Sequence, residues 1–359
     1  MAAVTAGLPH AEALRQGVTT TLDAFLEHKA RAAVSLGMSP EVAQSLGGFL
    51  AAGGKRLRPL ICATGWQAGG GRAIPEAVIR TAASLEMFHA FCLIHDDIMD
   101  DSDSRRGAPT LHRRLTGLQG SSQRPAAAER TGASCAILIG DVALAWSDEL
   151  LHTAGLTPRQ LGAVLPLVHE MRSEVMYGQY LDVTTAGRPT TDVEQARRII
   201  RYKTAKYTVE RPLQIGACLA GASLAVREAL SAYALPVGEA FQLRDDLLGV
   251  FGAPEVTGKP SLDDLRGGKH TVLVALALQR ADAGQRRVLD ALLGMDGLGE
   301  AGADRIREVL TATGARAEVE NMIAALRARA LRVLESAPLA PYATAGLRRL
   351  TEVATARAR

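Results

Sequence analysis

The 359-residue sequence contains few aromatic residues, few cysteines and no long apolar run. Its four cysteines are widely spaced in apolar stretches and lack the Cys-x-x-Cys spacing of a metal or redox site, which indicates reduced core thiols. We find no secretory leader and no stretch of about 18 apolar residues, the length that a membrane span requires. We therefore expect a cytoplasmic protein that is neither secreted nor membrane-spanning.

The sequence also lacks a strong charge of either sign. Its formal net charge of +3 is too close to neutral for a nucleic-acid-binding protein, which would need a basic stripe. Lysine is scarce as well, since six of the 41 basic residues are lysines and 35 are arginines. The few lysines mark positions where a compact ammonium is wanted instead of a planar guanidinium, and chance codon usage is the alternative explanation.

Apolar residues recur at intervals of three and four along most of the chain, a spacing typical of helices. A hydrophobic content of 47% with 22% charged residues is that of a well-packed globular protein. These features predict an all-α helical bundle, with a flexible surface loop over residues 116–131. The predicted helices cover residues 10–36, 75–103, 132–153, 158–184, 192–208, 212–248, 261–282, 301–313, 315–336 and 342–357.

Two acidic clusters each close an apolar helix. The first holds Asp96, Asp97 and Asp100, whose spacing of three and four residues predicts that the carboxylates share one helix face within about 6 Å. The second is the pair Asp245 and Asp246. A solvated acidic helix end is the alternative for the first cluster, but the apolar run leading into it argues against that. Oxygen ligands on two facing helices favour magnesium over zinc.

Basic residues stand in polar or glycine-rich turns between these helices. Arginine forks and lysine ammonium groups placed around metal-binding carboxylates are the arrangement that holds a diphosphate. For Arg56 or Lys206 alone, we favour a surface salt bridge. The basic residues in question are Lys55, Arg56, Arg58, Arg105, Arg106, Lys203, Lys206, Lys259 and Lys269.

The order of these motifs resembles that of the trans-isoprenyl diphosphate synthase (polyprenyl synthetase) family. The matching motifs are GGKRLRP from Gly53, DDxxD at Asp96–Asp100 followed by Arg105-Arg106, GQxxD at Gly178–Asp182, Lys203-Thr204, and FQxxDD followed by TGKP and GGK. The resemblance covers about residues 40 to 275 and is strongest to synthases of the geranylgeranyl diphosphate type. It implies a single domain over residues 1–359, because motifs from Lys55 to Lys269 must meet at one central cavity of the isoprenoid synthase type.

The resemblance also implies roles for individual residues. It implies magnesium, with three ions bound together with the diphosphate, and a homodimer. The implied metal ligands are Asp96, Asp100, Asp182 and Asp245, with Asp97 supporting them. An allylic diphosphate (dimethylallyl, geranyl or farnesyl) would contact Arg105, Lys203 and Lys259, while isopentenyl diphosphate would contact Lys55, Arg58, His89 and Arg106. Gln179, Asp182, Thr204 and Gln242 would line the region of the reacting cation, and Lys269 is a further substrate-binding residue.

Two positions bear on the details of this assignment. Gly249 stands where the second motif would carry its last acid, so only Asp245 is assigned to the third ion, together with water. Phe91 and Cys92 precede the first motif at the level that limits product length in the family. A single aromatic residue at this level resembles family members that make a C20 product. Helical spacing, however, supports Cys92 as a cavity residue better than Phe91.

Other functions are consistent with parts of the pattern. A farnesyl diphosphate synthase would use the same motifs, and a class I terpene cyclase would ionise an allylic diphosphate without the second basic set. A phosphohydrolase built around His95 and Asp96 would need further histidines at metal-ligand spacing. A helical scaffold without activity would be expected to have lost the first acidic motif.

Overall fold

The computed structural model describes residues 11–118, 124–252 and 262–355, and nearly all of them are helical. This confirms the predicted all-α class. The helices up to the middle of the chain are α1 Ala11–Ser35, α2 Glu41–Ala51, α3 Leu57–Ala68, α4 Glu76–Met99, α5 Leu111–Leu118, α6 Pro125–His152, α7 Pro158–Thr185 and α8 Val193–Ile199. A π-helical segment, Ile200–Glu210, precedes α9 Arg211–Leu219, α10 Leu224–Phe251, α11 Asp263–Arg266, α12 Val272–Arg280, α13 Ala283–Leu292, α14 Glu300–Ala312, α15 Ala315–Ser336 and α16 Pro341–Thr355.

Several predicted boundaries are wrong. The predicted helix 212–248 is two helices, because Gly221 adopts a left-handed φ of 75° and Ser223 then caps α10 by accepting a hydrogen bond from the backbone N–H of Val226. The predicted loop over residues 116–131 is too long, because α5 extends to Leu118 and α6 begins at Pro125. Residues 119–123 of that loop lie outside the described residues. Helices α2, α3, α5 and α13 were not predicted.

Helix α4 is the central helix and packs most extensively against α6. Its predicted apolar face is buried, with Val78, Ala82 and Leu85 at most 2% exposed. Within the described residues it is also the one helix long and apolar enough to cross a bilayer, but two thirds of that stretch is buried inside the protein. Core helices pass the same test, so the burial fits a core helix.

Helix α4 ends at Met99, four residues earlier than predicted. A run of carboxylates at a helix C-terminus opposes the helix dipole, and Asp101 adopts a positive φ of 48°. A short hairpin follows, in which β1 Ser104–Arg105 pairs with β2 Ala108–Pro109. Its turn residues Arg106 and Gly107 both have positive φ, as a two-residue type I′ turn requires. The hairpin holds Arg105 and Arg106 beside the acidic end of α4.

The π-helical segment continues from α8 into α9 and lies between α7 and α10. Glycines permit both close approaches, because a side chain at Gly178 would overlap the backbone of Lys203 and one at Gly238 would overlap Ala205. One helical turn beyond each glycine stands a polar residue, Asp182 on α7 and Gln242 on α10. The two helix contacts therefore set the positions of polar side chains in the site.

We expect Gly238→Ala to destabilise the fold by about 1–3 kcal/mol, since the added methyl group meets backbone that must move. Gly162→Ala is the matched control, because that helical glycine in α7 has open space around it and should gain up to about 1 kcal/mol. Urea unfolding of both variants measures the free energies. Equal stability of the two variants would contradict the close contact between α10 and the π-helical segment.

Candidate active site

The described helices enclose a cavity of about 1830 Å³. Most of the residues singled out in the sequence line it, although they come from distant parts of the chain. These are Lys55, Arg58, His89, Phe91, Cys92, Asp96, Arg105, Arg106, Gln179, Asp182, Lys203, Thr204, Gln242, Asp245 and Lys269. Lys259 lies outside the described residues.

Lys203 joins two carboxylates from different helices. Its Nζ lies 3.2 Å from Asp96 Oδ1 and 2.5 Å from Asp182 Oδ2. Burial alone would raise the pKa of Asp96, but the ammonium groups of Lys203 and Lys269 outweigh it and hold that pKa below its ordinary value. Burial likewise disfavours the charged lysine, yet Asp96 and Asp182 raise the pKa of Lys203. Asp96 and Lys203 are therefore both charged at neutral pH.

Lys269 makes a second link of the same kind. Its Nζ lies 2.9 Å from Asp264 Oδ1 and 3.9 Å from Asp100 Oδ2. The Asp264 carboxylate is the main cause of a Lys269 pKa well above the ordinary value. Burial, and then repulsion from Asp96, raise the pKa of Asp100. The two outer carboxylates of the first motif thus differ in proton affinity although they lie one helical turn apart.

Asp97 does not share the face of its neighbours, which corrects the prediction of three carboxylates on one side of the helix. Its side chain is buried and accepts hydrogen bonds from Arg105 Nε at 2.8 Å and Nη2 at 2.5 Å. Adjacent residues of an α-helix point about 100° apart, and here Asp96 lines the cavity while Asp97 turns toward the hairpin. Asp97 therefore anchors Arg105 on the hairpin.

The second acidic motif contributes its two carboxylates differently. Both residues line the cavity, but Asp246 is buried and accepts a 2.8 Å hydrogen bond from Gln242 Nε2. Thr204 Oγ1 in turn donates to Gln242 Oε1 at 2.7 Å. Burial raises the pKa of Asp246 to about 7. This chain of hydrogen bonds fixes the amide of Gln242, so Asp246 acts on the site through Gln242.

The glycine that interrupts the second motif has a structural counterpart. A side chain at Gly249 would overlap the carboxylate of Asp264, which reaches this space from α11. The carboxylate of Asp264 therefore lies beside the position where the second motif lacks an acid, but it belongs to another helix. The sequence analysis assigned the third ion to Asp245 and water and did not predict an acid from another helix here.

A second group in the cavity contains the Arg58 guanidinium and the His89 imidazole. Arg58 Nη2 donates to Thr208 Oγ1 at 2.7 Å, and its guanidinium carbon lies 4.1 Å from the centre of the Tyr207 ring. His89 Nδ1 lies 3.1 Å from the Tyr207 hydroxyl. Burial, followed by the positive charge of Arg58, lowers the pKa of His89 well below its ordinary value. Sequence reasoning missed Tyr207 and Thr208, although they follow Lys203-Thr204 within one helical turn.

Arg56 and Lys206 both form salt bridges, as favoured, but the one at Arg56 is buried and the one at Lys206 is half-buried. Arg56 Nη1 donates to Glu86 Oε1 at 2.7 Å, and both side chains are less than 10% exposed. Arg56 also has a left-handed φ of 46°, so this ion pair holds a strained turn at the start of α3. Lys206 makes a half-buried ion pair with Glu174. Neither position offered a sequence signal for its distant partner.

The described residues 11–118, 124–252 and 262–355 offer no cluster of side chains that would bind a metal ion without a further ligand. No three His, Cys, Asp or Glu side chains there lie close enough to hold an ion. Magnesium commonly takes one or two carboxylates and completes its shell with substrate phosphates. Asp96 and Asp245 line the cavity and Asp100 lies 3.9 Å from the cavity residue Lys269, so these carboxylates provide oxygen ligands of that kind beside cations that could hold phosphates. The residues present therefore fit magnesium bound together with a diphosphate.

Both predicted chain-length residues line the cavity. Phe91 packs against Phe88 with 5.4 Å between ring centroids, and against His95 at 4.7 Å. Helical spacing favoured Cys92 over Phe91 as a cavity residue, but the structure places both in the cavity wall. The cavity is wide enough to border more than one face of α4, so residues 140° apart can reach it.

His95 lines the cavity but directs its Nε2 toward α6. Its Nε2 lies 3.1 Å from the Ile137 carbonyl oxygen and 3.5 Å from Asp141. This contact removes the His-Asp pair on which a phosphohydrolase would depend. A helical bundle with paired acidic motifs and two groups of cations around one cavity defines an enzyme of the isoprenoid synthase class.

Comparison with known proteins supports the same conclusion. A model of the polyprenyl synthetase family matches residues 39–311. The crystal structure of a geranylgeranyl pyrophosphate synthase from Corynebacterium glutamicum, complexed with isoprenyl diphosphate and magnesium, is 38% identical with a TM-score of 0.91, covering 98% of this chain and 100% of that one. The chain belongs to the polyprenyl synthetase family, and it is a trans-isoprenyl diphosphate synthase.

Two curated relatives differ in the product that they are named for. A geranylfarnesyl diphosphate synthase from Aeropyrum pernix is 36% identical over 68% of this chain and 72% of its own length. A (2E,6E)-farnesyl diphosphate synthase from Mycobacterium tuberculosis is 34% identical over 71% of this chain and 66% of its own length. Similarity alone therefore does not define the product length.

We expect Glu86→Gln to lower the free energy of unfolding by about 3–5 kcal/mol, because it leaves the Arg56 charge buried without its partner. Replacing both residues, with Arg56→Met and Glu86→Leu, should restore much of that loss. Arg286→Ala, which breaks an exposed pair with Asp290, is the control and should cost less than about 1 kcal/mol. Urea unfolding that gave equal losses for Glu86→Gln and Arg286→Ala would contradict this account of the turn.

Proposed function

We propose that the enzyme condenses isopentenyl diphosphate head-to-tail with an allylic diphosphate and that its main product is geranylgeranyl diphosphate. The observation that supports this best is that the side chains able to bind phosphate form two groups in the cavity. Lys203 and Lys269 contact the acidic motifs, whereas Arg58 and His89 contact Tyr207 and Thr208. Two diphosphates can then bind at once, one beside the carboxylates and one away from them.

The chemistry follows from the charges around the first diphosphate. The allylic C–O bond breaks and the diphosphate leaves with the electron pair. The double bond of isopentenyl diphosphate then forms the new C–C bond, and loss of a proton gives a longer allylic diphosphate. Fixed cations such as Lys203 and Arg105 stabilise the charge on the departing group. The apolar wall formed by α4 excludes water from the allylic cation.

Magnesium would be held by Asp96 and Asp100 and, from the other wall, by Asp245, with three ions in the proposed complex. When bound, it neutralises negative charge that develops on the leaving diphosphate. Asp182, which was also assigned to the metal, contacts Lys203, so its proposed part is to hold that lysine. A homodimer and a cytoplasmic location remain predictions from the family resemblance and the sequence.

A farnesyl diphosphate synthase and a class I terpene cyclase are the alternatives. The cyclase would leave the Arg58–His89 group without a ligand, and it would not consume isopentenyl diphosphate. The deciding experiment supplies the purified enzyme with magnesium, isopentenyl diphosphate and each allylic starter in turn. One diphosphate released per isopentenyl unit consumed supports the proposal, whereas release without consumption supports the cyclase.

We expect Asp96→Ala and Asp100→Ala each to lower turnover at least about a hundredfold, since each carboxylate acts chiefly in the transition state. Steady-state assays at saturating magnesium measure this. Asp290→Ala, an exposed position on α13, is the control for loss of a carboxylate. Near-normal turnover of either variant would exclude the metal assignment.

Lys55→Ala and Arg58→Ala should raise the KM for isopentenyl diphosphate about tenfold or more, with a smaller effect on the KM for the allylic substrate. A lost charge-assisted contact weakens the binding of the diphosphate that it held. The measurement varies each substrate in turn while the other is saturating. An equal rise in both constants would show that the two groups of cations do not serve separate diphosphates.

We expect Phe91→Ala to lengthen the product and Cys92→Phe to shorten it toward farnesyl diphosphate. Both side chains line the cavity, where a phenyl ring occupies the space of roughly one isoprene unit. Chromatography of the dephosphorylated products measures chain length, and thermal melting separates a change in packing from a change in product. An unaltered C20 peak from both variants would contradict the chain-length role.

A further inference from the structure

Tyr207 lies at the centre of the second cation group without any assigned role. Its side chain is 3% exposed, its hydroxyl lies 3.1 Å from His89 Nδ1, and Arg58 stacks on its ring. The ring of Phe88 packs edge-on against it at 5.8 Å. Tyr207 thus contacts two of the four residues that we assign to isopentenyl diphosphate, His89 and Arg58, while its ring packs against the core.

The proton on His89 decides what this histidine can do for an anion. With its pKa lowered by burial and by Arg58, the imidazole is neutral at pH 7 and carries one N–H. A neutral imidazole can donate to a diphosphate only from the nitrogen that carries this proton. In the part of the chain that the structure describes, the tyrosine contact is made by Nδ1 and no hydrogen bond is made by Nε2.

The surroundings of the Tyr207 hydroxyl determine which way its hydrogen bond runs. Within the described residues its hydrogen-bond partner is His89 Nδ1, and the thiol of Cys92, whose sulfur is a weak acceptor, lies close to it. The hydroxyl therefore donates to Nδ1. If Nδ1 donated instead, the hydroxyl proton would have only the Cys92 sulfur as an acceptor. Because Nδ1 accepts this hydrogen bond, it carries no hydrogen, and the single imidazole hydrogen is on Nε2.

Arg58 is oriented by the same part of the π-helical segment. The Tyr207 ring lies against one face of its guanidinium, which cation–π attraction favours. Thr208 accepts from Nη2 at 2.7 Å and fixes rotation in the guanidinium plane. Tyr207 and Thr208, neighbours in the π-helical segment, therefore together restrain the side chains of His89 and Arg58.

We propose that Tyr207 is a positioning residue for isopentenyl diphosphate, which holds His89 in the Nε2–H tautomer and holds the Arg58 guanidinium in place. This inference rests on the proposed function, because it takes His89 and Arg58 as ligands of the second diphosphate. Tyr207 itself acts through these two side chains.

The first test compares Tyr207→Phe with Tyr233→Phe. Tyr233 is also fully buried, and its hydroxyl bonds the Leu347 carbonyl oxygen and Thr351 on α16. Both variants lose one buried hydroxyl, but only Tyr207→Phe should raise the KM for isopentenyl diphosphate, by about three- to tenfold. The KM for the allylic substrate should stay within about twofold in both. Equal changes in both variants, or none in Tyr207→Phe, would overturn the proposal.

The second test observes the tautomer directly in the ligand-free enzyme by ¹⁵N NMR of its histidine rings. The His89 signals are identified by their absence from His89→Gln. We expect the Nε2–H form in the unsubstituted enzyme and in Tyr233→Phe, and a mixture of tautomers in Tyr207→Phe. An Nδ1–H form in the unsubstituted enzyme, or an unchanged tautomer in Tyr207→Phe, would overturn the proposal.

The two tests separate this inference from the proposed function. If Lys55→Ala and Arg58→Ala raise the KM for isopentenyl diphosphate but Tyr207→Phe changes neither that constant nor the tautomer, only the role of Tyr207 fails. If the Lys55 and Arg58 variants show no selective effect, the assignment of the second diphosphate fails, whatever the tautomer of His89.

Discussion

The structure of the site depends on the attraction between two lysines and the carboxylates that they join. Asp96, Asp182 and Asp100 would repel one another in a partly buried cavity, and burial makes that repulsion stronger. Lys203 and Lys269 offset it by linking α4 to α7 and to α11. The cavity can therefore keep a high density of charge of both signs, as binding a metal–diphosphate complex demands.

The π-helical segment carries this arrangement across the cavity. Lys203 and Thr204 at its start face the acidic motifs, and Tyr207 and Thr208 restrain the second cation group. π-Helical turns are uncommon and are frequently found at functional sites. Here the segment lies tightly between α7 and α10 because Gly178 and Gly238 have no side chains. A change in its position would therefore affect both halves of the site together.

Much of this could be predicted from the sequence because it depends on local patterns. Apolar periodicity predicted the long helices, and acidic pairs at the ends of two of them predicted a shared cavity. Partners far apart in the chain gave no such signal, as with Arg56 and Glu86 or Gly249 and Asp264. The ion pair that turns the buried Asp97 toward Arg105 depends on the hairpin, a tertiary feature that spacing does not encode.

The central claim is that one cavity holds two diphosphates at the same time in separate groups of cations. Calorimetric titration of isopentenyl diphosphate into enzyme already saturated with magnesium and an unreactive allylic thiolodiphosphate tests it most directly. The account predicts binding of one isopentenyl diphosphate per chain, without displacement of the analogue. Competition between the two ligands for one site would contradict it.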